Sequence, residues 1–480
     1  MLPPASPHRR DFLSWVTHGL GTAAATGLLL RDGVLHAEKL PGEATETCPH
    51  FPAKAKRAIH ICLCGAMSQV DTFDYKPELI KQHGKTLKTK ERPDVFFGQV
   101  GLLRQPDWNF KKRGKSGLWV SELFPHLGEM ADELTVIHSM FAETSNHTPA
   151  TFQENSGFRL NGYPALGSWL SYGLGCEVDN LPAFVVIPDA REFPAGGPIN
   201  WSNGFLPARH QGVVVRSKGD PIDDLFPAKA LPKGADQATR ELLDIMNRRH
   251  LEERGSSDAL SARIRSYELA AKMQSAVPEV ANLDKEKPAT RTLYGLDRPE
   301  TVDFGRACLL ARRLLERGVR FVQLFSGGTF GSPRRNWDGH EDMKQNHGQE
   351  AARIDKPVAA LLQDLRQTGM LDDTLVLFTT EFGRTPFTQS ASDQVGKGRD
   401  HNQYGFTVWM AGAGLKHGIS YGATDEVGWK AVEKRTSWYD FHATVLHLLG
   451  IDHERLTYYH NGIKRRLTNV HGKVVKEILA

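Results

Sequence analysis

The sequence predicts an α/β protein with a central, mostly parallel sheet sandwiched by helices. Short apolar runs of strand length recur along the chain, stretches with helical periodicity separate them, and acids and histidines gather just beyond the ends of these runs. With 480 residues, 40% hydrophobic and 24% charged, the chain is long enough to bury a large core.

The N-terminal stretch "PHRRDFLSW" pairs Arg9 with Arg10 and runs into the small-residue, mildly apolar "HGLGTAAATGLLL". That is the layout of a twin-arginine export signal, expected over residues 1–37 with cleavage after Ala37. The run is interrupted by His18 and stops at Arg31, short of the ~20 apolar residues that a membrane span needs. No later segment reads as a span. The expectation is a periplasmic or secreted protein that engages the twin-arginine machinery and has no stable membrane span.

Residues 50–480 read as one α/β domain. Its strands are "RAIHICLCG" (57–65), "LTVIHS", "AFVVIPD", "RFVQLFSGG", "TLVLFTTEFG" and "FTVWMAGAG". One crossover helix is plain. Ile354, Val358, Leu361, Leu362 and Leu365 recur at helical spacing, Gly369 closes the helix, and "LDDT" turns into the strand that starts at Thr374. The stretch from Phe193 to Arg240 is rich in Gly, Pro, Trp and Asn and has little periodicity, which predicts a cap-like insertion around residues 190–245. Ala259 to Ser275 follow as a charged amphipathic helix, and "VPEVANLDKEKPATR" reads as a linker.

Cysteine and charge exclude some classes. Cys48, Cys62, Cys64, Cys176 and Cys308 are odd in number and have no CxxC spacing, so they predict core thiols rather than a disulfide framework or a zinc ribbon. Cys62 and Cys64 alternate on one strand and share a face. The net charge of +4 is small and spread out, with no basic run, so nucleic acid is not an expected partner.

In an open parallel sheet, ligands bind outside the carboxyl ends of the strands. Four such positions carry titratable residues: Asp71 and Asp74 after the first strand; Asp338 and His340 in "NWDGH", with His347 an optional neighbour; Glu381 and Arg384 in "EFGRTP"; and Asp400 and His401 in "GRDHN". Taken singly, each could be a helix cap or a solvated loop residue. Together they would repel or stay protonated unless a cation neutralised them. Oxygen and imidazole donors suit Zn, Mn or Fe, with Ca admissible where oxygens dominate.

The export signal, the Asp71 segment, "NHTPA", "NWDGH", "LLQDLRQTGMLDDTLVLFTTEFGRTP", "GRDHN" and "DFHATVLHLLGID" together resemble the secreted domain-of-unknown-function 1501 family. That family is similar to sulfatases of the alkaline phosphatase superfamily. The resemblance implies an alkaline phosphatase/sulfatase-like fold and one or two divalent metal ions. It makes Asp71 the metal-binding aspartate after the first strand, Asp338 and His340 an Asp and a His of one metal, and His401 the last histidine ligand. Glu381 stands where an aspartate of a second metal is usual. Phe382 stands where a histidine or asparagine would follow, and a phenyl ring cannot bind metal.

The nucleophile of such enzymes lies at the start of the helix after the second strand. Alignment on Pro149 places His147 there, with Thr148 one residue off; Thr148 also reads as a helix N-cap. Two function classes follow. One is an exported metal-dependent hydrolase of sulfate or phosphate esters, with a small-molecule or glycan anionic ester as substrate and Arg384 holding the anion. The other is a non-catalytic exported protein of the same fold that binds a metal or an anionic glycan.

Overall fold

The computed structural model describes residues 49–90, 92–223, 235–254, 258–329, 331 and 334–480. The twin-arginine segment and Cys48 lie outside them.

One sheet dominates the described residues. In chain order its strands are β1 (Arg57–Leu63), β2 (Leu134–Phe141), β3 (Phe184–Ile187), β4 (Val213–Val214), β5 (Phe321–Ser326), β6 (Thr374–Thr380), β9 (Phe406–Gly412), β10 (Ile419–Tyr421) and β11 (Thr436–Ser437). A separate hairpin of β7 (Gly383–Thr388) and β8 (Arg399–Asn402) stands between β6 and β9 in sequence. The spatial order is β10-β2-β9-β6-β1-β5-β3-β4, and β11 also pairs with β2.

β1 is central, hydrogen-bonded in parallel to β5 on one side and β6 on the other. Its alternation supplies two cores. Ile59, Ile61 and Leu63 enter one together with α3 (Val302–Glu316) and α4 (Met343–Gln367). Ala58 and Cys62 enter the other with α2 (Leu166–Leu174) and α5 (Trp438–Leu448). Both faces of the sheet are therefore covered, which is why its strands read as unbroken apolar runs.

β9 alone runs against its neighbours β2 and β6. The reason is topological: no crossover helix intervenes between β6 and β9. The chain turns through the β7–β8 hairpin and comes straight back. The amino end of β9 consequently lies at the same sheet edge as the carboxyl ends of β1, β5 and β6.

The crossover helix α4 extends to Gln367, and Gly369 adopts φ 71° before a short turn over Met370–Asp372. The linker expected at "VPEVANLDKEKPATR" is instead largely helical. A helix over Asp258–Ala281 continues through Pro278, and Pro288–Leu293 forms another. Val277, Val280 and Leu283 are buried in the first core, so packing overrides the polar composition. The irregular stretch after β3 holds two 3₁₀ turns, Gly197–Trp201 and Ala208–His210, before it returns to the sheet edge as β4. No helix among the described residues is long and apolar enough to cross a membrane.

Candidate metal centre

His147 is the first residue of α1 (His147–Ser156), the helix that follows β2. Asn146 occupies the capping position, so Thr148, half buried, is the second helical residue and not the cap expected for it. Asp338 and His340 lie in the loop after β5, which packs onto the end of β1. Gly65, at φ 114°, permits that approach: a Cβ there would stand 2.5 Å from the Trp337 nitrogen and 2.6 Å from that of Asp338. Gly398 does the same on the other side, where a Cβ would lie 1.5 Å from the His340 carbonyl oxygen. His401 sits on β8, just before the reversed strand β9.

Ligand atoms of His147, Asp338, His340 and His401 all lie within 4.8 Å of one another. Around Asp338 Oδ1 stand His340 Nε2 at 2.7 Å, His147 Nε2 at 3.2 Å and His401 Nε2 at 3.4 Å. The opposite nitrogen of each ring is committed elsewhere. His147 Nδ1 meets Glu381 Oε1 at 2.7 Å, His401 Nδ1 meets the Ser145 carbonyl at 2.6 Å, and His340 Nδ1 meets Gln389 Oε1. All three partners are acceptors, so each Nδ1 carries the proton and each Nε2 lone pair points to the common centre. His340 Nε2 and His401 Nε2 are only 2.9 Å apart. Two facing lone pairs at that distance call for a cation or a proton between them, and three imidazoles with one carboxylate suit a tetrahedral Zn-type ion.

The surroundings hold this geometry. Glu381 is fully buried and accepts the Gly65 and Ala66 amides at 2.8 and 3.2 Å. It thus orients His147 and is not one of the four clustered groups. Arg384, also fully buried, donates to the carbonyls of Gly65, Ala66 and Arg399, to Asp338 Oδ1 at 2.6 Å, and points its last N–H at His340 Nε2, 3.3 Å away. Phe382 packs at a tilt against His147 and His401, with both ring centroids 4.9 Å away, so the residue that cannot bind metal walls in two that could.

The charges follow from these contacts. Burial opposes ionisation of Asp338, but the Arg384 guanidinium beside it reverses this and, with the neighbouring imidazoles, drives its pKa far below the usual carboxylate range. Burial likewise opposes a charged His147, and its bonds to Asp338 and Glu381 outweigh that and raise its pKa. For His401 burial wins, and its pKa falls well below the ordinary histidine value.

The structure does not bring Asp71, Asp400 or His347 into the cluster. Asp71 is fully buried in an ion pair with Arg399 Nε at 2.8 Å and also accepts the Ser68 hydroxyl at 2.6 Å. Asp400 accepts the His401 amide at 2.7 Å and the Phe97 amide at 3.0 Å. His347 Nε2 accepts the Ser68 amide at 2.9 Å, and burial lowers its pKa to about 3.

Four residues at the centre had no sequence signal. Gln389 orients His340, and Arg334 reaches Asp338 Oδ2 from the mouth of the site. Phe96 and Phe97, 46% and 52% exposed, place their rings 4.8 Å from His401 and 4.9 Å from His340.

Residues 55–479 match the family model described as "Protein of unknown function (DUF1501)", and the chain belongs to that family. No curated protein matches it. Among solved structures, the chain is similar to the lipoteichoic acid synthase LtaP from Listeria monocytogenes at 11% identity and TM-score 0.36, over 86% of this chain and 76% of that one. It is similar to the PsFucS1 sulfatase from Pseudoalteromonas sp. at 12% identity and TM-score 0.35, over 87% and 72% of the respective chains. A protein in the alkaline phosphatase superfamily from Vibrio parahaemolyticus matches at 11% identity and TM-score 0.34, over 87% and 74%.

Proposed function

We propose that this DUF1501 chain is an exported metal-dependent hydrolase of sulfate or phosphate esters. The observation that carries the reading is the convergence of three Nε2 lone pairs and the Asp338 carboxylate, each imidazole fixed in one tautomer by an acceptor behind it. His147, Asp338, His340 and His401 would hold one divalent ion, Zn or Mn by donor set. A second ion at Asp71 is disfavoured, because the Arg399 guanidinium already neutralises that carboxylate. When bound, the ion supplies a Lewis acid for the ester oxygens.

The chain's own residues then bind and orient. The charged groups in contact at the centre are Asp338 and Glu381 against Arg384 and Arg334, so a bound divalent ion would leave it net positive. That balance favours an anionic ester. Were His340 a ligand, the Arg384 N–H that faces it would be left for the anion, and part-exposed Arg334, paired with Asp338 and Glu341, stands at the mouth. The α1 amino terminus adds positive potential. The exposed rings of Phe96 and Phe97 suit a flat, apolar face, such as a sugar ring or an aryl group, on the alcohol side of the ester.

Both His147 nitrogens are engaged, which fits a ligand better than a nucleophile, and leaves attack to water or to the Thr148 hydroxyl. A paired substitution separates these routes. Loss of metal and activity in His147→Ala with Thr148→Ala nearly silent supports water. Retained metal with abolished turnover in Thr148→Ala supports a covalent threonine ester. No hydrolysis by metal-loaded protein across a panel of sulfate and phosphate esters would leave an anion-binding protein. Export is tested by replacing Arg9 and Arg10 with lysine, which should strand the protein in the cytoplasm; unchanged export would overturn that part.

A further inference from the structure

A second polar cluster lies in the core beneath this centre. His60 and Cys62 alternate on β1 and so face the same layer; Glu154 reaches them from α1. All three are fully buried, and ligand atoms of the three lie within 4.8 Å of one another. The flanking strands add polar groups at the same place. Gln323 of β5 pairs with His60, and Thr379 of β6 pairs with Cys62. The Thr379 hydroxyl bridges His60 Nε2, 2.7 Å away, and Glu154 Oε1.

This cluster leaves polar atoms over. His60 Nδ1, Glu154 Oε2, Gln323 Oε1 and the nearby His442 Nδ1 are buried without a hydrogen-bond partner. Four orphaned atoms around the central strand of a sheet are costly, and apolar side chains would fill the same space without that cost. Such a cluster calls for a polar or charged occupant.

We propose that His60, Cys62 and Glu154 form a second, buried metal site for one thiophilic divalent cation, zinc by its donor set. Imidazole nitrogen and thiolate sulfur on one tetrahedral zinc stand about 3.5 Å apart, given bonds of about 2.0–2.1 and 2.3 Å. His60 Nε2 and Cys62 Sγ are 3.3 Å apart, and ligation through Nε2 would take that nitrogen from the Thr379 hydroxyl and move the ring proton to the orphaned Nδ1. The Asn155 side-chain oxygen, 3.7 Å from the sulfur, is at hand for the fourth position. Binding forms metal–nitrogen, metal–sulfur and metal–oxygen bonds, and releases to solvent the protons of the Cys62 thiol and the Glu154 carboxyl. Burial, reinforced by nearby carboxylates, keeps both groups protonated until a counter-charge arrives, with both pKa values well above ordinary.

The second site would steady the first. His147 opens α1, and Glu154 follows seven residues later on the same helix face. A cation joining Glu154 to β1 pins the helix that presents His147.

The test is cobalt substitution of the whole protein, since the first centre contains no sulfur ligand. Stripped and reloaded with Co²⁺, the protein should bind two ions per chain and show a thiolate-to-cobalt charge-transfer band in the near ultraviolet. Cys62→Ser should remove the band and one ion, whereas Cys308→Ser should change neither. If Cys62→Ser fails to fold, the band in the unsubstituted protein still decides. One ion per chain without the band overturns the proposal, leaving a hydrogen-bonded cluster or internal water, as does a band that survives Cys62→Ser. The band with a single ion would sustain this site and count against the first centre, so the two readings fail separately.

Discussion

Asp71 and Glu381 separate what a residue's position in sequence reveals from what it conceals. Both are acids just beyond a central strand, and both read as metal ligands. Asp71 instead meets Arg399, 328 residues away, a pairing that no local pattern announces. Burial alone would raise the Asp71 pKa, but the Arg399 guanidinium and the Ser68 hydroxyl lower it overall. Its stabilising contribution is therefore present above the unfolded carboxylate value of about 3.9 and is lost as pH falls below it. Asp71→Asn leaves Arg399 buried without its counter-charge. The cost should be about 3 kcal/mol, the lower end for a broken buried pair, because four backbone carbonyls still solvate the guanidinium. Urea unfolding checks this; a change under about 0.5 kcal/mol, the range of an ordinary surface substitution, would reject the pairing as structural. Glu381→Gln keeps an acceptor near His147 but loses the charge. Metal affinity should drop about 10- to 100-fold with the fold intact, measured by competition with a chromogenic chelator. Unchanged affinity would remove Glu381 from the site.

The strands β1, β2, β3, β5, β6 and β9 were legible because each is almost wholly buried and reads as a continuous apolar run, whereas the less buried β4 and β10 were not. The direction of β9 was not, since it depends on the absence of a crossover between β6 and β9 and not on the strand's own residues. That reversal brings His401 to the edge where β1, β5 and β6 end. The loop bearing Phe96 and Phe97 left no trace in the sequence either, because its position rests on contacts with residues some 300 positions away, among them the Phe97 amide to Asp400 and the Tyr404 hydroxyl to Asp94. If this loop forms the wall for the alcohol side of the substrate, Phe97→Ala should raise KM for aryl or glycosyl esters by about 3- to 10-fold, the worth of one aromatic contact. KM for a methyl ester and metal content should not move. Equal loss on all esters would show that the ring steadies His340 and does not read the substrate.

Across the whole molecule, the candidate metal centre gathers the ends of elements distant in sequence: α1, the loop after β5, and the β7–β8 hairpin. Ligation should therefore couple to global stability. Stripping the protein with a chelator should lower Tm, and restoring Zn²⁺ at about 100 times its Kd should return about 2.7 kcal/mol. An unchanged Tm would mean that no ion links these elements. The most direct measurement is anomalous diffraction at the metal's absorption edge from crystals of protein purified after export. A peak is predicted about 2.0–2.2 Å from His147 Nε2, His340 Nε2, His401 Nε2 and an Asp338 carboxylate oxygen. No peak among these four side chains, or one seated against Asp71 in place of Arg399, would contradict the account.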